Sequence, residues 1–261
     1  MFRSLHIAAT GMAAQEAELD TISNNLANVN TVGYKKVRAD FQDLLYQTMR
    51  SPGAPVAGTA TSPTGLQLGT GTRIVATSTI HTEGALLQTG NQLDVAIEGN
   101  GFLVVQQPDG TPAYTRNGEL KTDSTGRIVN SEGLLIDPPI TIPGDATSVS
   151  IGADGTVTAT MKAQTNPVQL GQIELAAFVN PAGLASAGHN LYTPTASSGD
   201  AQVGHPGLDG RGTLLQGSVE HANVEVVDEM IGLIAAQRNY EINSKVVSAA
   251  DDMLRDVTQM R

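Results

Sequence analysis

Val226, Leu233, Tyr240, Val247 and Leu254 recur at every seventh position, and Ile231, Ile234, Ile242, Val246, Ala249 and Met253 widen the stripe on either side. An apolar repeat of this period keeps one seam of an α-helix turned toward a partner helix. No proline falls between His221 and Arg261. A single helix of about forty residues is therefore allowed, roughly 55–60 Å long at 1.5 Å per residue, which is more than a compact domain usually holds. The other end of the chain carries a counterpart. Leu5, Ala8, Met12, Gln15, Leu19, Ile22 and Leu26 follow a 3-4 spacing, weak only at Gln15. That pattern stops in Asn24, Asn25, Asn28 and Asn30 followed by Gly33, residue types that end helices. A heptad seam specifies pairing without fixing whether the partner helix belongs to the same chain or to another copy.

Between the ends the period changes from helical to alternating. Arg73–His81, Leu93–Ile97, Phe102–Gln106, Ser148–Ile151, Val157–Thr160 and Val168–Val179 read as strands. Asp109-Gly110, Asp154-Gly155 and Asp209-Gly210 are turn signals, the first two placed for hairpins. From Ser51 to Gly71 the chain is Pro, Gly, Thr and Ser with almost no charge, so alone it reads as a long flexible loop restrained by Pro52, Pro55 and Pro63. The expected fold is α+β: long N- and C-terminal helices pairing as a coiled coil, with a central β-rich body of short strands and hairpins. Residues 1–45 and 215–261 form the helical part, 46–71 the linker and 72–214 the body.

Composition narrows the functions open to such a fold. Only 3% of residues are aromatic against 40% hydrophobic, so the core must come from Val, Ile, Leu and Ala. The few rings, four Phe and five Tyr, are spread along the sequence and offer no ligand-stacking platform. A net charge of −11 argues against nucleic acid, which needs a concentrated basic face, and against docking on anionic lipid. No run reaches the apolar length that lipid insertion requires. Absence of cysteine removes disulfides, thiolate metal sites and cysteine nucleophiles. The segment after Arg3 is interrupted by His6, Thr10 and Gly11 and runs on as a helix, so no cleaved signal peptide is expected.

A search for reactive constellations returns little. His6, His81, His189, His205 and His221 are scattered without metal-ligand spacing, and each reads as a surface or interface residue. Gly99-Asn100-Gly101-Phe102 begins like a nucleotide fingerprint, but a strand follows where a helix is needed. Asp251-Asp252 are adjacent on a helix and point about 100° apart, so they do not converge. No catalytic, cofactor-binding or metal-binding residue is expected, and the chain reads as a non-enzyme. A soluble β-rich binding domain is the alternative from a different class.

Three segments carry a family resemblance. Ser23-Asn24-Asn25-Leu26-Ala27-Asn28-Val29-Asn30-Thr31-Val32-Gly33-Tyr34-Lys35 resembles the signature of the flagellar axial proteins, the rod, hook and hook-associated proteins of the bacterial flagellum. Ala222-Asn223-Val224 through Gln237-Arg238-Asn239-Tyr240-Glu241-Ile242-Asn243-Ser244-Lys245 is similar to the family's C-terminal hallmark, with Ala222 where Ser is common. The body adds Thr89-Gly90-Asn91-Gln92-Leu93-Asp94 through Gly101-Phe102, then Tyr114-Thr115-Arg116-Asn117-Gly118 and Asp123-x-x-Gly126.

The length, the Asp252-Met253-Leu254 region and the long segment after Tyr46 resemble the distal-rod members, with proximal rod proteins as the alternative. The resemblance implies a self-assembling helical tube with paired terminal helices inside and β bodies outside. It would be exported unfolded through the flagellar export apparatus, span the periplasm and transmit torque from the motor to the hook. Implied partners are further copies of itself, proximal rod proteins, hook protein, and the ring proteins of the peptidoglycan and outer membrane. The implied assembly residues are Leu5, Met12, Leu19, Ile22, Asn24, Asn25, Leu26, Asn28, Gly33, Tyr34, Val226, Leu233, Gln237, Arg238, Tyr240, Asn243, Val247 and Leu254.

Overall fold

The computed structural model describes residues 2–53, 55–57, 60–61, 63–162 and 166–259. The chain divides into two compact units, one of Met1–Leu26, Val37–Ser78 and Glu225–Arg261, the other of Ala27–Lys36 and Thr79–Val224. Helices lie at both chain ends and β structure fills the middle, so the α+β class holds.

In the first unit, helix α1 spans Phe2–Ala27 and helix α2 spans Val226–Gln259. α2 is shorter at its start than the absence of proline allows. The chain is still in a strand at Ser218–Glu220, hydrogen-bonded to Leu86–Gln88. Asp228 and Glu229 then sit in the first helical turn, where carboxylates complement the exposed amides. The two helices meet through small and polar residues. Asn25 Nδ2 donates to Glu229 Oε2 at 3.4 Å, a Cβ on Gly232 would lie 3.3 Å from Ile22 Cδ1, and one on Gly11 would lie 3.0 Å from Asn243 Nδ2. Equal steps in opposite directions link these three contacts, so α1 and α2 run antiparallel. Ala8, Ala14, Ile22 and Asn25 are buried on α1, Glu229, Ala236 and Ala250 on α2.

The same unit holds a β ribbon. Val37–Asp43 pairs with Thr72–Thr79, and Ser78 Oγ donates to Asp40 within it. The segment read from sequence as a loop folds back on itself. Gln47–Arg50 pairs antiparallel with Leu66–Leu68, and Pro55–Ala57 with Ala60–Thr61. Backbone pairing needs no side-chain core, and a Thr-rich, nearly uncharged chain offers it little resistance. Pro52 and Pro63 are exposed beside these pairs, and the backbone of Pro55 opens a strand.

The second unit is built on a nine-stranded sheet. Its central strand is Phe102–Gln106, flanked by Pro112–Thr115 and Leu135–Ile136. Four consecutive apolar residues in that strand bury both of its faces. Leu103 and Val105 point into a core with Val95, Ile97, Leu120, Ile136 and Leu175. Phe102 and Val104 point the other way, into a cluster with Tyr114, Leu184 and Tyr192. The rings that look spread out in sequence are thus gathered: Phe102, Phe178, Tyr114 and Tyr192 make edge-to-face contacts. They fill a core. Val168–Val179 is not one strand. Val168–Gln172 closes a three-stranded sheet, whereas Leu175–Ala177 joins the large sheet. Both Asp-Gly hairpin signals hold, since Asp109-Gly110 links two paired strands and so does Asp154-Gly155. Thr213–Gln216 and Ser218–Glu220 pair with Val95–Glu98 and Leu86–Gln88, so residues 215–224 belong with the β unit and not with the helices.

Candidate functional site: a polar clamp and two helix faces

Three of the resemblance segments converge in the β unit. Lys35, Arg116 and Glu220 are each nearly inaccessible, at 1%, 3% and 1% exposure. The Lys35 ammonium donates to Glu220 Oε1 and, at 2.7 Å, to the Thr82 carbonyl. Arg116 Nη1 donates to Glu220 Oε2 at 3.1 Å and to the Ile97 carbonyl at 3.2 Å, while Nη2 donates to the Gly99 carbonyl. The Gly84 amide donates to Glu220 Oε1 at 2.8 Å. One carboxylate thus serves two cations and an amide. Burial, reinforced by the charge of Arg116, pushes the Lys35 pKa below the usual lysine range, and Glu220 opposes that shift.

Around the ions a second layer fixes the backbone. Asn223 Oδ1 accepts from the Lys36 amide at 2.6 Å, and its Nδ2 donates to the Ile80 and Thr82 carbonyls at 2.8 and 3.1 Å. The Gly33 amide donates to the Glu220 carbonyl at 2.8 Å. Gly33 has φ +72°, and a Cβ there would lie 2.6 Å from the Arg116 carbonyl carbon and the Asn117 nitrogen. Gly118 is as constrained, since its Cβ would meet the Val95 carbonyl oxygen. The chain leaving α1 and the chain approaching α2 are therefore both pinned to the strand end at Thr115–Gly118. Asp94 does a similar job nearby, accepting from Thr89 and Asn91.

The sequence-derived assembly residues fall into separate groups. Gly33 is buried and Tyr34 half-buried in the β unit, with Asn28 half-buried there and accepting from Thr31 Oγ1. Ile22 and Asn25 are buried on α1, where Asn25 also bonds both backbone atoms of Val37. Leu5, Met12, Leu19 and Leu26 are half-buried on α1, and Asn24 is exposed. On α2, Leu233, Asn243, Val247 and Leu254 are half-buried, whereas Val226, Gln237, Arg238 and Tyr240 are exposed. Sequence reasoning missed Glu220 and the role of Arg116. A lone Glu in Ser218-Val219-Glu220-His221 carries no local signal, although Arg116 lies inside Tyr114-Thr115-Arg116-Asn117-Gly118.

A second face of α2 is apolar and open. Val227, Ile231, Ile234, Ile242, Val246 and Met253 are 42–62% exposed, and helical periodicity places Val227, Ile231 and Ile234 opposite the buried Glu229 and Ala236. Among the described residues no helix is long and apolar enough to cross a membrane. Nor does any group of three or more His, Asp or Glu assemble a metal site there.

The buried ions thus serve the chain's own backbone, and α2 leaves large apolar side chains exposed. Three family models match the sequence: the flagella basal body rod protein model at residues 5–35, the flagellar hook protein FlgE/F/G D1 domain at 96–159, and the flagellar basal body rod FlgEFG protein C-terminal model at 215–260. The chain is 48% identical over 260 residues to the flagellar basal-body rod protein FlgG of Buchnera aphidicola subsp. Acyrthosiphon pisum, covering all of both chains. It is 46% identical to FlgG of Borreliella burgdorferi over 97% of each chain, and 39% identical to FlgG of Bacillus subtilis over all of both. The chain belongs to the flagellar basal-body rod protein family.

Proposed function

We propose that the chain is a structural subunit of the distal rod of the bacterial flagellum, self-assembling into a helical tube that crosses the periplasm and carries motor torque to the hook. The observation that carries this reading is the exposed apolar stripe of α2, Val227 through Met253. Large apolar side chains left exposed along a helix mark an interaction surface. α1 and α2 form a coiled coil whose seam runs through Leu233, Val247 and Leu254 on one side and Leu5, Met12, Leu19 and Leu26 on the other. The outward stripe then packs on neighbouring copies, with Gln237, Arg238 and Tyr240 near that contact. The ribbon between Tyr46 and Gly71 bridges adjacent subunits and stiffens the tube. Proximal rod proteins, hook protein, the peptidoglycan and outer-membrane rings and the export apparatus are its partners. Sizing over a concentration series tests the core of the proposal. Polymers that grow with concentration are expected, and a small species of constant size up to millimolar protein would refute it.

A further inference from the structure

His81 is not a surface residue. Its ring lies edge-on to Phe102 and Tyr192, with centroids 5.5 and 5.4 Å away. Both imidazole nitrogens are buried without a partner at full hydrogen-bonding geometry, and the Pro181 carbonyl is close enough to favour the protonated ring. The residues on either side of it hold the clamp. The Ile80 carbonyl accepts from Asn223 and the Ile80 amide donates to the Lys36 carbonyl, while the Thr82 carbonyl accepts from both Lys35 and Asn223. A cavity of about 350 Å³ opens beside the ring, lined also by Phe102, Phe178, Arg116, Asn100 and Asp209.

We propose that His81 is an acid-sensitive latch. Neutral, it plugs the aromatic cage and holds the Ile80–Thr82 strap against Lys35 and Asn223; protonated, it leaves through the adjacent cavity and takes the strap with it. The charge pattern around the ring sets the direction. Lys35 and Arg116 are cations, and the anions Glu220 and Glu83 already face them. Asp209 at the cavity is paired with Arg211, and Tyr192 is neutral, its hydroxyl pushed up to about 12 by burial. A third positive charge would find only the Pro181 carbonyl and a Glu220 carboxylate already shared by two cations, and burial with those cations outweighs both. Burial first, and then the Lys35 and Arg116 charges, hold the His81 pKa down from 6.5 to about 4.

The sign follows by linkage. Between those values the unfolded chain binds a proton that the folded one does not, so stability rises with pH there. The contribution is fully present above pH 6.5 and is lost as pH falls toward 4. Over that window the unfolding equilibrium constant changes by up to roughly tenfold per pH unit.

The test uses the full chain and two variants, His81→Phe and His81→Gln, with urea unfolding followed by tyrosine fluorescence from pH 7.5 to 4, and an NMR titration of the wild-type imidazole. Comparison with the variants cancels the other four histidines and the carboxylates. Acid destabilisation that is steeper in wild type than in both variants is expected, along with loss of amide protection at Ile80 and Lys36 in wild type alone. If His81→Phe does not fold, the His81→Gln comparison decides. Equal pH dependence in wild type and variants, or a His81 midpoint near 6.5, would overturn the latch.

Discussion

Glu220 holds two buried cations, and Lys35 and Arg116 do not contribute to that balance equally. Replacing Glu220 by Gln leaves both cations buried with no carboxylate in contact, a situation that costs about 3–5 kcal/mol. Lys35→Met leaves Arg116 and Glu220 matched one to one, and the loss should stay within about 2 kcal/mol. Urea unfolding of the two variants side by side checks the order; Lys35→Met as damaging as Glu220→Gln would refute it. Gly33→Ala should also be costly. It forces a side chain into the left-handed region, about 1–2 kcal/mol by itself, and drives a Cβ to 2.6 Å from backbone that cannot yield. Thermal unfolding should show a loss larger than that conformational cost alone. Of this site, Gly33 and Lys35 were legible in the sequence as members of a dense motif. Their partner was not, because Glu220 sits 185 residues from Lys35 and an ion pair across that separation leaves no periodic trace.

At the scale of elements, periodicity located both helices and the strands at Thr72–Thr79, Val95–Glu98, Phe102–Gln106, Ala146–Ile151 and Thr156–Met161, since apolar spacing is a property of neighbouring residues, and it passed over most of the shorter strands. It did not separate the two faces of α2. Leu233 and Ile234 are adjacent in the same stripe of sequence, yet Leu233 is half-buried on the side of Gly232 and Ala236 while Ile234 is 47% exposed. Leu233→Asp should therefore weaken the helix pair in the monomer by about 2 kcal/mol or more. Ile234→Asp should leave monomer unfolding unchanged and abolish polymer growth. Helical circular dichroism on heating reads the first, and sizing at high concentration reads the second. Identical behaviour of the two variants would mean that α2 has one working face. The ribbon at Gln47–Leu68 escaped the sequence for a different reason. Its pairing is made by backbone hydrogen bonds between the short strands Gln47–Arg50 and Leu66–Leu68, whose largely exposed side chains bury no face that alternation would mark.

At the scale of the whole molecule, the chain crosses between its two units four times, and each unit draws on both halves of the sequence. If the ribbon bridges subunits in a tube, removing Pro52–Thr70 should leave the β unit's unfolding unchanged and give rods that bend more in electron micrographs. Rods as straight as wild type would make the ribbon a spacer.

The separations within the clamp have one more effect, on the order in which the protein can form. Arg116 lies 104 residues and Lys35 lies 185 residues before the carboxylate that neutralises them. The strands Thr213–Gln216 and Ser218–Glu220 complete pairings begun more than a hundred residues earlier, at Val95–Glu98 and Leu86–Gln88. Contacts of such long range form late, because the loop they close is large. A chain lacking residues after Arg211 should accordingly keep Lys35 and Arg116 solvated and show no cooperative urea transition. Addition of residues through Val224 should restore one. The clamp thus works as a completion signal, delaying rigidity until nearly the last of the β unit is in place.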